Sequence, residues 1–455
     1  MKATRRISLW SFLVGIFLPT ALVAQTENSP YVFKMLRQED VVKSAQEETT
    51  KTLYKTLKYI PFRQEGYASF GGSYRTQFEF FDSQNFELGA TDGWWLNRLM
   101  LHGHFRFGKK WQLFGEMVSS TIQSKTNLSP VDLDELAVNQ AFIRYDNGPF
   151  TLLLGRENLR YGSQRIIAPR EGPNVRRSFD GARAICHRAG LKLEFLYYEP
   201  VDINPFLFDN ETLNGNESIL GTYNPFSSST GQHNLDFYYI VQQRNEASYE
   251  VATALEERHS LGLRYFGRSG PFSFDHEGLY QFGHFGTHRI SAWTLSTKLY
   301  YFVSSSIGAL DVELKSEIIS GDRDPDDAVL NTFNALYPRG AYFGRVAQFG
   351  PANLIDIHPS LTLTLKKWFF TVDYLAIWRA SVADAVYGAG LDPAFSDTND
   401  AAFIGHQLGG IVNWEVNSFL ALEIESNYIL PGSFLRASDL NNSLLHVVAT
   451  AELKF

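Results

Sequence analysis

Residues 69–81 read SFGGSYRTQFEFF, and they alternate with period two. Phe70, Gly72, Tyr74, Thr76, Phe78 and Phe80 fall on one side, with Ser73, Arg75, Gln77 and Glu79 on the other. Successive side chains of a strand point to opposite faces, so this segment is a strand with one apolar and one charged surface. Moving outward, the scheme repeats. Leu99, Leu101, Phe105 and Phe107 oppose Arg98, His102, His104 and Arg106; Leu310, Val312, Leu314 and Ile318 oppose Asp311, Glu313, Lys315 and Glu317. At the end of the sequence Leu445, Val447, Ala449, Ala451, Leu453 and Phe455 share a face opposite His446, Thr450, Glu452 and Lys454. A soluble sandwich also alternates, but with strands of about 5–6 residues. Segments of about 10 residues, apolar outside and charged inside, are what a tilted strand needs to cross a bilayer around a wet lumen. The expected fold is all-β, a transmembrane antiparallel β-barrel of about 18 strands, with about 16 as the alternative count. Its periplasmic turns should be short. Irregular stretches near 158–178, 203–232, 322–358 and 384–402 should be long extracellular loops, or loops folded into the lumen.

The start of the sequence sets the compartment. Lys2, Arg5 and Arg6 precede an apolar run from Ile7 to Val23, and Ala24-Gln25 offers a cleavage point. Residues 1–24 are read as a cleaved signal peptide in preference to a single-pass anchor, because the run is short and contains Pro19. Residues 25–60 are polar and helix-permissive, a periplasmic extension with no chemistry of its own, and 61–455 are assigned to the barrel. The formal net charge of −8 argues against nucleic acid as a partner. Cys186 is the only cysteine, which excludes an internal disulfide and a thiolate metal cage. A final amphipathic strand ending in Phe455 is similar to the signal by which barrels engage the assembly machinery of the outer membrane. Outer-membrane lipid and that machinery are therefore expected partners, in a Gram-negative type of envelope.

Against this acidic background residues 155–188 read GRENLRYGSQRIIAPREGPNVRRSFDGARAICHR. Arg156, Arg160, Arg165, Arg170, Arg176, Arg177, Arg183 and Arg188 outnumber Glu157, Glu171 and Asp180. Guanidinium groups are planar, permanently charged and suited to two-pronged capture of carboxylates. Two readings stand side by side: several of these arginines meet an anionic solute, or they brace a long loop against acids of neighbouring strands. Arg156 has the parity of Leu152 and Leu154, which puts it beyond the lipid zone or at a bulge.

The same stretch resembles the hallmark segment of the alginate export family of bacterial outer-membrane barrels. That segment has Gly-Arg at a strand end, then Tyr-Gly, Gln-Arg, Asn, and an Arg before Phe-Asp-Gly-hydrophobic-Arg. The matching positions are Gly155, Arg156, Tyr161, Gly162, Gln164, Arg165, Asn174, Arg177, Phe179, Asp180, Gly181 and Arg183, with Pro173 where the family usually has Trp. VNQAFIRY (138–145), SGDRDPDD (320–327), NTFNALYPRGAYFG (331–344) and WRASVADAVYG (378–388) are similar in the same order. The resemblance implies a passive, non-enzymatic channel with an electropositive lumen for an alginate-like anionic polysaccharide or oligosaccharide. It leaves room for a periplasmic export partner. On it the pore contacts are Arg156, Arg165, Arg177 and Arg183, joined by Arg160 of the same arginine-dense segment and by the inner-face Arg75, Arg98 and Arg106. Gly155, Tyr161, Gly162, Gln164, Asn174, Phe179, Asp180 and Gly181 shape the motif.

Competing chemistries have weaker support. His102 and His104 share a strand face without a third ligand at metal spacing. Asp322, Asp324, Asp326 and Asp327 offer oxygens for calcium, but lack an EF-hand's spacing and terminal Glu, so a solvated turn is the reading adopted and no cofactor is assigned. A general porin or uptake channel for small solutes is the alternative function. A barrel enzyme ranks lower, because no nucleophile motif appears. So does an adhesive barrel using the Asn-, Ser- and Phe-rich 203–232 loop.

Overall fold

A strand that is apolar on one side survives in a bilayer only if every backbone group is paired, which forces the sheet to close. The computed structural model describes residues 32–40, 52–62, 65–188, 190–396 and 399–455, so the expected signal peptide lies outside the described residues. Its main sheet holds twenty strands, of which Ile60–Phe62 and Val329–Leu330 are short marginal pieces. The other eighteen form the wall: β1 Gly66–Asp82, β2 Asp92–Phe107, β3 Trp111–Gln123, β4 Asp134–Asn147, β5 Phe150–Glu157, β6 Phe179–Arg188, β7 Leu191–Pro200, β8 Glu217–Ser227, β9 His233–Tyr249, β10 Ala252–Ser269, β11 Phe272–Phe285, β12 His288–Ser304, β13 Ala309–Ile319, β14 Leu354–Leu365, β15 Trp368–Arg379, β16 Phe403–Glu415, β17 Leu420–Pro431 and β18 Leu444–Lys454. Each pairs antiparallel with the next, and β18 returns to β1 through Ser73↔Lys454 to Asp82↔Leu445. Closure leaves no edge for another chain to add to.

The alternation reads out as expected. Leu101, Leu152, Leu154, Leu363 and Ile424 are exposed on the outside, whereas Arg75, Arg98, Lys315 and Glu317 are buried on the inside. One end carries eight turns of two to five residues; the other carries nine connections, several of them long. By the rule for outer-membrane barrels the first end is periplasmic and the second extracellular. One detail differs from the sequence reading. The 203–232 stretch is not one loop: β8 occupies Glu217–Ser227, leaving a loop up to 216 and a short turn over 228–232. Residues 340–348 lie in an infolded loop, within the stretch expected to be irregular.

The extracellular half of the lumen is filled. Loop 3 (158–178), loop 7 (320–353) and loop 8 (380–402) drop inward and bury apolar side chains against the inner wall. One cluster gathers Leu159, Ile167, Phe333 and Tyr337 with Ile219, Tyr238 and Ile290 of the wall. Another gathers Phe343, Val346 and Phe349 with Phe81, Trp94 and Leu375. The wall alternation hid this, since an inward Tyr or Ile on β8–β12 serves the loops rather than lipid.

Candidate functional site

The arginine-dense segment builds loop 3. Gly155, at the end of β5, has φ +130°, and a Cβ there would lie 2.3 Å from the Ala141 carbonyl oxygen. At the loop's tight turn Gly162 has φ +51°, and its Cβ would meet the Tyr223 hydroxyl at 2.3 Å. Both positions need glycine. Tyr161 is buried and donates to Glu194, while Gln164 donates its N–H to the Tyr161 carbonyl. Asn174 pins the descending arm by donating to the carbonyls of Thr121 and Asp132. Phe179 is fully buried, edge-on to Tyr337.

Most of the arginines are consumed in this construction. Arg165 donates from Nε to Tyr342 at 2.8 Å and lies 3.2 Å from Glu317 and 3.6 Å from Glu277. Arg183 bridges Glu157 and Glu194 at 2.7 and 3.2 Å. Arg75 reaches the carbonyls of Glu171 and Pro173 at 2.9 and 2.8 Å, and Arg98 and Arg176 both grip the Glu171 carboxylate. Burial alone would raise the Glu171 carboxyl, but Arg176, Arg98 and Arg75 hold it below the usual carboxylate range. Arg75 and Arg98 thus face inward as expected, yet they hold the loop from the wall.

Two nominated pore residues lie elsewhere. Arg156 pairs with Asp180 at 2.7 Å, and both lie on the outward parity of β5 and β6, between exposed Leu154 and a wall carbonyl, Val138. The Gly155 backbone leaves the parity intact, so Arg156 points away from the lumen. Arg106 stands at the periplasmic end of β2, opposite Tyr67 and Gln112, with no ion pair among the described residues. His102 lies 3.9 Å from Glu116, and His104 contacts Gln112; no group of three potential ligands that could hold a metal ion occurs among the described residues.

Loop 3 and loop 7 meet across the lumen. Ile167 and Tyr337 form a parallel bridge, Ala168 donates to the Tyr337 carbonyl at 2.9 Å, and Tyr337 donates to the Ile166 carbonyl at 2.8 Å. Gly340 sits against Pro173 and Arg170 so closely that its Cβ would fall 2.5 Å from the proline ring. At this seam two guanidinium groups make no ion pair among the described residues, although Glu217 acts on Arg177 from a greater distance. Arg177 lies 5.1 Å over the Tyr337 ring, and its Nη1 has no hydrogen-bond partner; the same holds for Nη2 of Arg170. Burial and the neighbouring Arg177 push the Arg170 guanidinium below its ordinary value.

Beside the seam two chambers share Gly172, Ala341 and Arg345. The extracellular one, about 190 Å³, is lined also by Glu79, Trp94, Lys125 and Asp132; the periplasmic one, about 270 Å³, by Arg75, Glu423, Thr450 and Glu452. Arg345 is fixed between them by Glu423 at 2.5 Å and Thr450 at 2.9 Å. Charge along this passage is mixed, not uniformly positive. Sequence reasoning missed Arg345 and passed over Arg170. Arg345 follows directly on the quoted Tyr-Phe-Gly run, but nothing in that run says which way it faces.

The N-terminal segment is a second surprise. Residues 32–40, expected to hang in the periplasm, run inside the short-turn mouth. Buried Arg37 donates to the carbonyls of Gly72 and Phe455 at 2.8 and 3.2 Å, Gln38 contacts Gln140, and Glu39 meets Arg160 of loop 3 at 2.9 Å. Lys58 lies against Gly71, and burial together with Arg37 pulls its pKa down to about 8. Residues 25–31 and 41–51 of this segment are outside the described residues.

Comparison with known proteins gives one family and one fold. The family model described as alginate export matches residues 66–446. No curated protein matches the sequence. Among solved structures, OccAB1 of Acinetobacter baumannii is similar with a TM-score of 0.57 and 10% identity, over 88% of this chain and 99% of that one. OccK11 (OpdR) of Pseudomonas aeruginosa gives 0.55 and 12%, over 87% and 100%. OccK2 (OpdF) of the same organism, solved in complex with glucuronate, gives 0.54 and 10%, over 85% and 98%. At such identities the likeness is one of fold.

Proposed function

The chain belongs to the alginate export family of outer-membrane channels, and on that premise we propose that it passes an anionic saccharide passively, by way of the seam between loops 3 and 7. The observation that carries this reading is the Arg170–Arg177 pair. Two like charges are held together in a partly buried seam with open donors and no ion pair, Glu217 acting on Arg177 only from beyond ion-pair distance, and this surplus favours a visiting anion. A uronate carboxylate supplies that charge, and a planar guanidinium suits it. Arg345 then stands at the junction of the two chambers as the next contact along the path. Each contact must be weak enough to release, as selective conduction requires. Arg165 and Arg183 act in this scheme by holding loop 3, Arg160 by tying it to the N-terminal segment, and no chemical step is involved.

A second reading, uptake of single small sugar acids, is favoured by the hydrogen bonds that tie loop 3 to loop 7 across the lumen. Small chambers suit a monomer better than a moving polymer. Single-channel recording in planar bilayers decides between them. Export of a polymer predicts current block by oligouronates that lengthens with chain length; uptake of a monomer predicts block by glucuronate alone. Cation preference with no block by either would sink both.

A further inference from the structure

Loop 4 (201–216) turns the logic of a soluble loop inside out. Its polar groups satisfy one another or the wall. Asn204 and Phe206 bond to Asn210 and Asp209, Asp202 pairs with Glu211 through backbone bonds, and Asn210 donates to Asp134 of β4 at 2.9 Å. Its apolar side chains face away from the protein: Phe206, Leu207, Phe208 and Leu213 are each about 60% exposed. Phe208 and Leu213 do so from backbones at φ +53° and +50°, a region bulky residues rarely adopt.

The wall beneath explains why such a loop is needed. β5 has only eight residues, and its outward apolar side chains end at Leu154. Arg156 follows, roughly 20 Å along the strand from Phe150. With a strand tilt near 40° that is roughly 15 Å above the periplasmic turn, inside an apolar band ~25 Å tall. Its partner Asp180, together with Glu199 on β7, continues this polar strip across the outer face. An ion pair facing hydrocarbon would be costly. Loop 4 lies over this strip. Phe208 donates to the Leu136 carbonyl, Leu207 bridges Leu136 on the β4 edge that short β5 leaves unpaired, and Gly215 donates to Glu199.

We propose that loop 4 is a lipid-contacting flap: it seals the Arg156–Asp180–Glu199 strip and seats Phe206, Leu207, Phe208 and Leu213 among the acyl chains of the outer leaflet. Leu152, Leu154, Phe195 and Tyr197, on the outward face of β5 and β7, are likewise exposed. This assignment is independent of what passes through the lumen. It places Arg156, a family-motif position, in the service of membrane seating.

Nitroxide labelling tests it in the full-length protein. In a Cys186→Ser background, Phe206→Cys and, separately, Leu207→Cys are labelled and reconstituted into phosphatidylethanolamine–phosphatidylglycerol vesicles. Leu152→Cys provides the lipid reference and Leu88→Cys, at the tip of the first extracellular connection, the aqueous one. Heat-modifiable mobility on gels checks folding of each variant. The expected result is oxygen access matching Leu152→Cys and a loss of nickel-chelate access relative to Leu88→Cys. Nickel access equal to that of Leu88→Cys overturns the proposal. So does dipolar broadening between labels, which would assign this face to a second copy of the chain.

Discussion

Arg165 and Arg177 leave the same loop twelve positions apart and meet opposite surroundings. Arg165 is buried between Glu277 and Glu317, whereas Arg177 and its neighbour Arg170 repel each other without an ion pair, Glu217 acting on Arg177 only from a distance. Paired arginines make the loop a rigid wall; the open pair makes part of that wall attractive to an anion. Removing Arg165 should therefore produce the largest effect. Arg165→Met leaves buried Glu277 without its ion pair and Glu317 with Lys315 alone, a cost of about 3–5 kcal/mol. Urea unfolding in vesicles should shift by that amount, and channel conductance should rise as loop 7 is released. An unchanged unfolding midpoint would dismiss the bracing role.

The N-terminal segment extends the comparison to a cation that holds a plug. Arg37→Ala removes two charge-assisted bonds to the Gly72 and Phe455 carbonyls, each worth about 1.5–3 kcal/mol. Larger single-channel steps with little change in wall stability are expected. Identical steps would mean that residues 32–40 do not obstruct the current. The open pair should behave in the reverse way. Arg170→Gln combined with Arg177→Gln should alter stability by no more than about 1 kcal/mol, since it relieves a repulsion. Reversal potentials under a salt gradient should nonetheless lose anion preference. If selectivity survives, Arg345 or another group carries it.

This contrast also explains what the sequence disclosed. Wall strands are legible because lipid outside and polar groups inside impose one pattern along each strand, and Phe70 to Phe80 follows it with Thr76 as the one polar residue outside and Gly71 as the one non-polar residue inside. The parity argument even isolated Arg156, which the wall now places outward beneath loop 4. Inside the lumen no such rule applies. Arg170 and Arg165 carry the same charge in the same loop; which one finds an acid depends on Glu277 and Glu317, over a hundred residues downstream. Arg37 was equally opaque, because beyond its local ion pair with Asp40 it binds backbone carbonyls of β1 and the C-terminal residue. Tertiary pairing of this kind leaves no local periodicity to read.

An acidic counterpart of the open arginine pair gives the smallest and most specific effect. Asp322 and Asp384, at the bases of loops 7 and 8, approach one another: the Asp322 N–H donates to Asp384, which also accepts from Thr332. Burial, with Asp384 adding to it, pushes the Asp322 carboxyl up to about 6 from an ordinary 3.8. The folded junction thus binds its proton more tightly than the unfolded chain does. Stability from this group is complete below pH 3.8, declines as pH rises through 6, and is constant above. Asp384 is raised by burial too and acts in the same sense. Amide exchange at Asn331, whose N–H donates to Asp322, should lose protection between pH 4 and 7 once intrinsic rates are removed. Asp322→Asn should flatten that dependence while leaving anion preference intact, because the seam of Arg170 and Arg177 lies elsewhere in the lumen. Protection that rises with pH would contradict the sign. Selectivity lost with Asp322→Asn would show that the loop bases and the seam act as one unit.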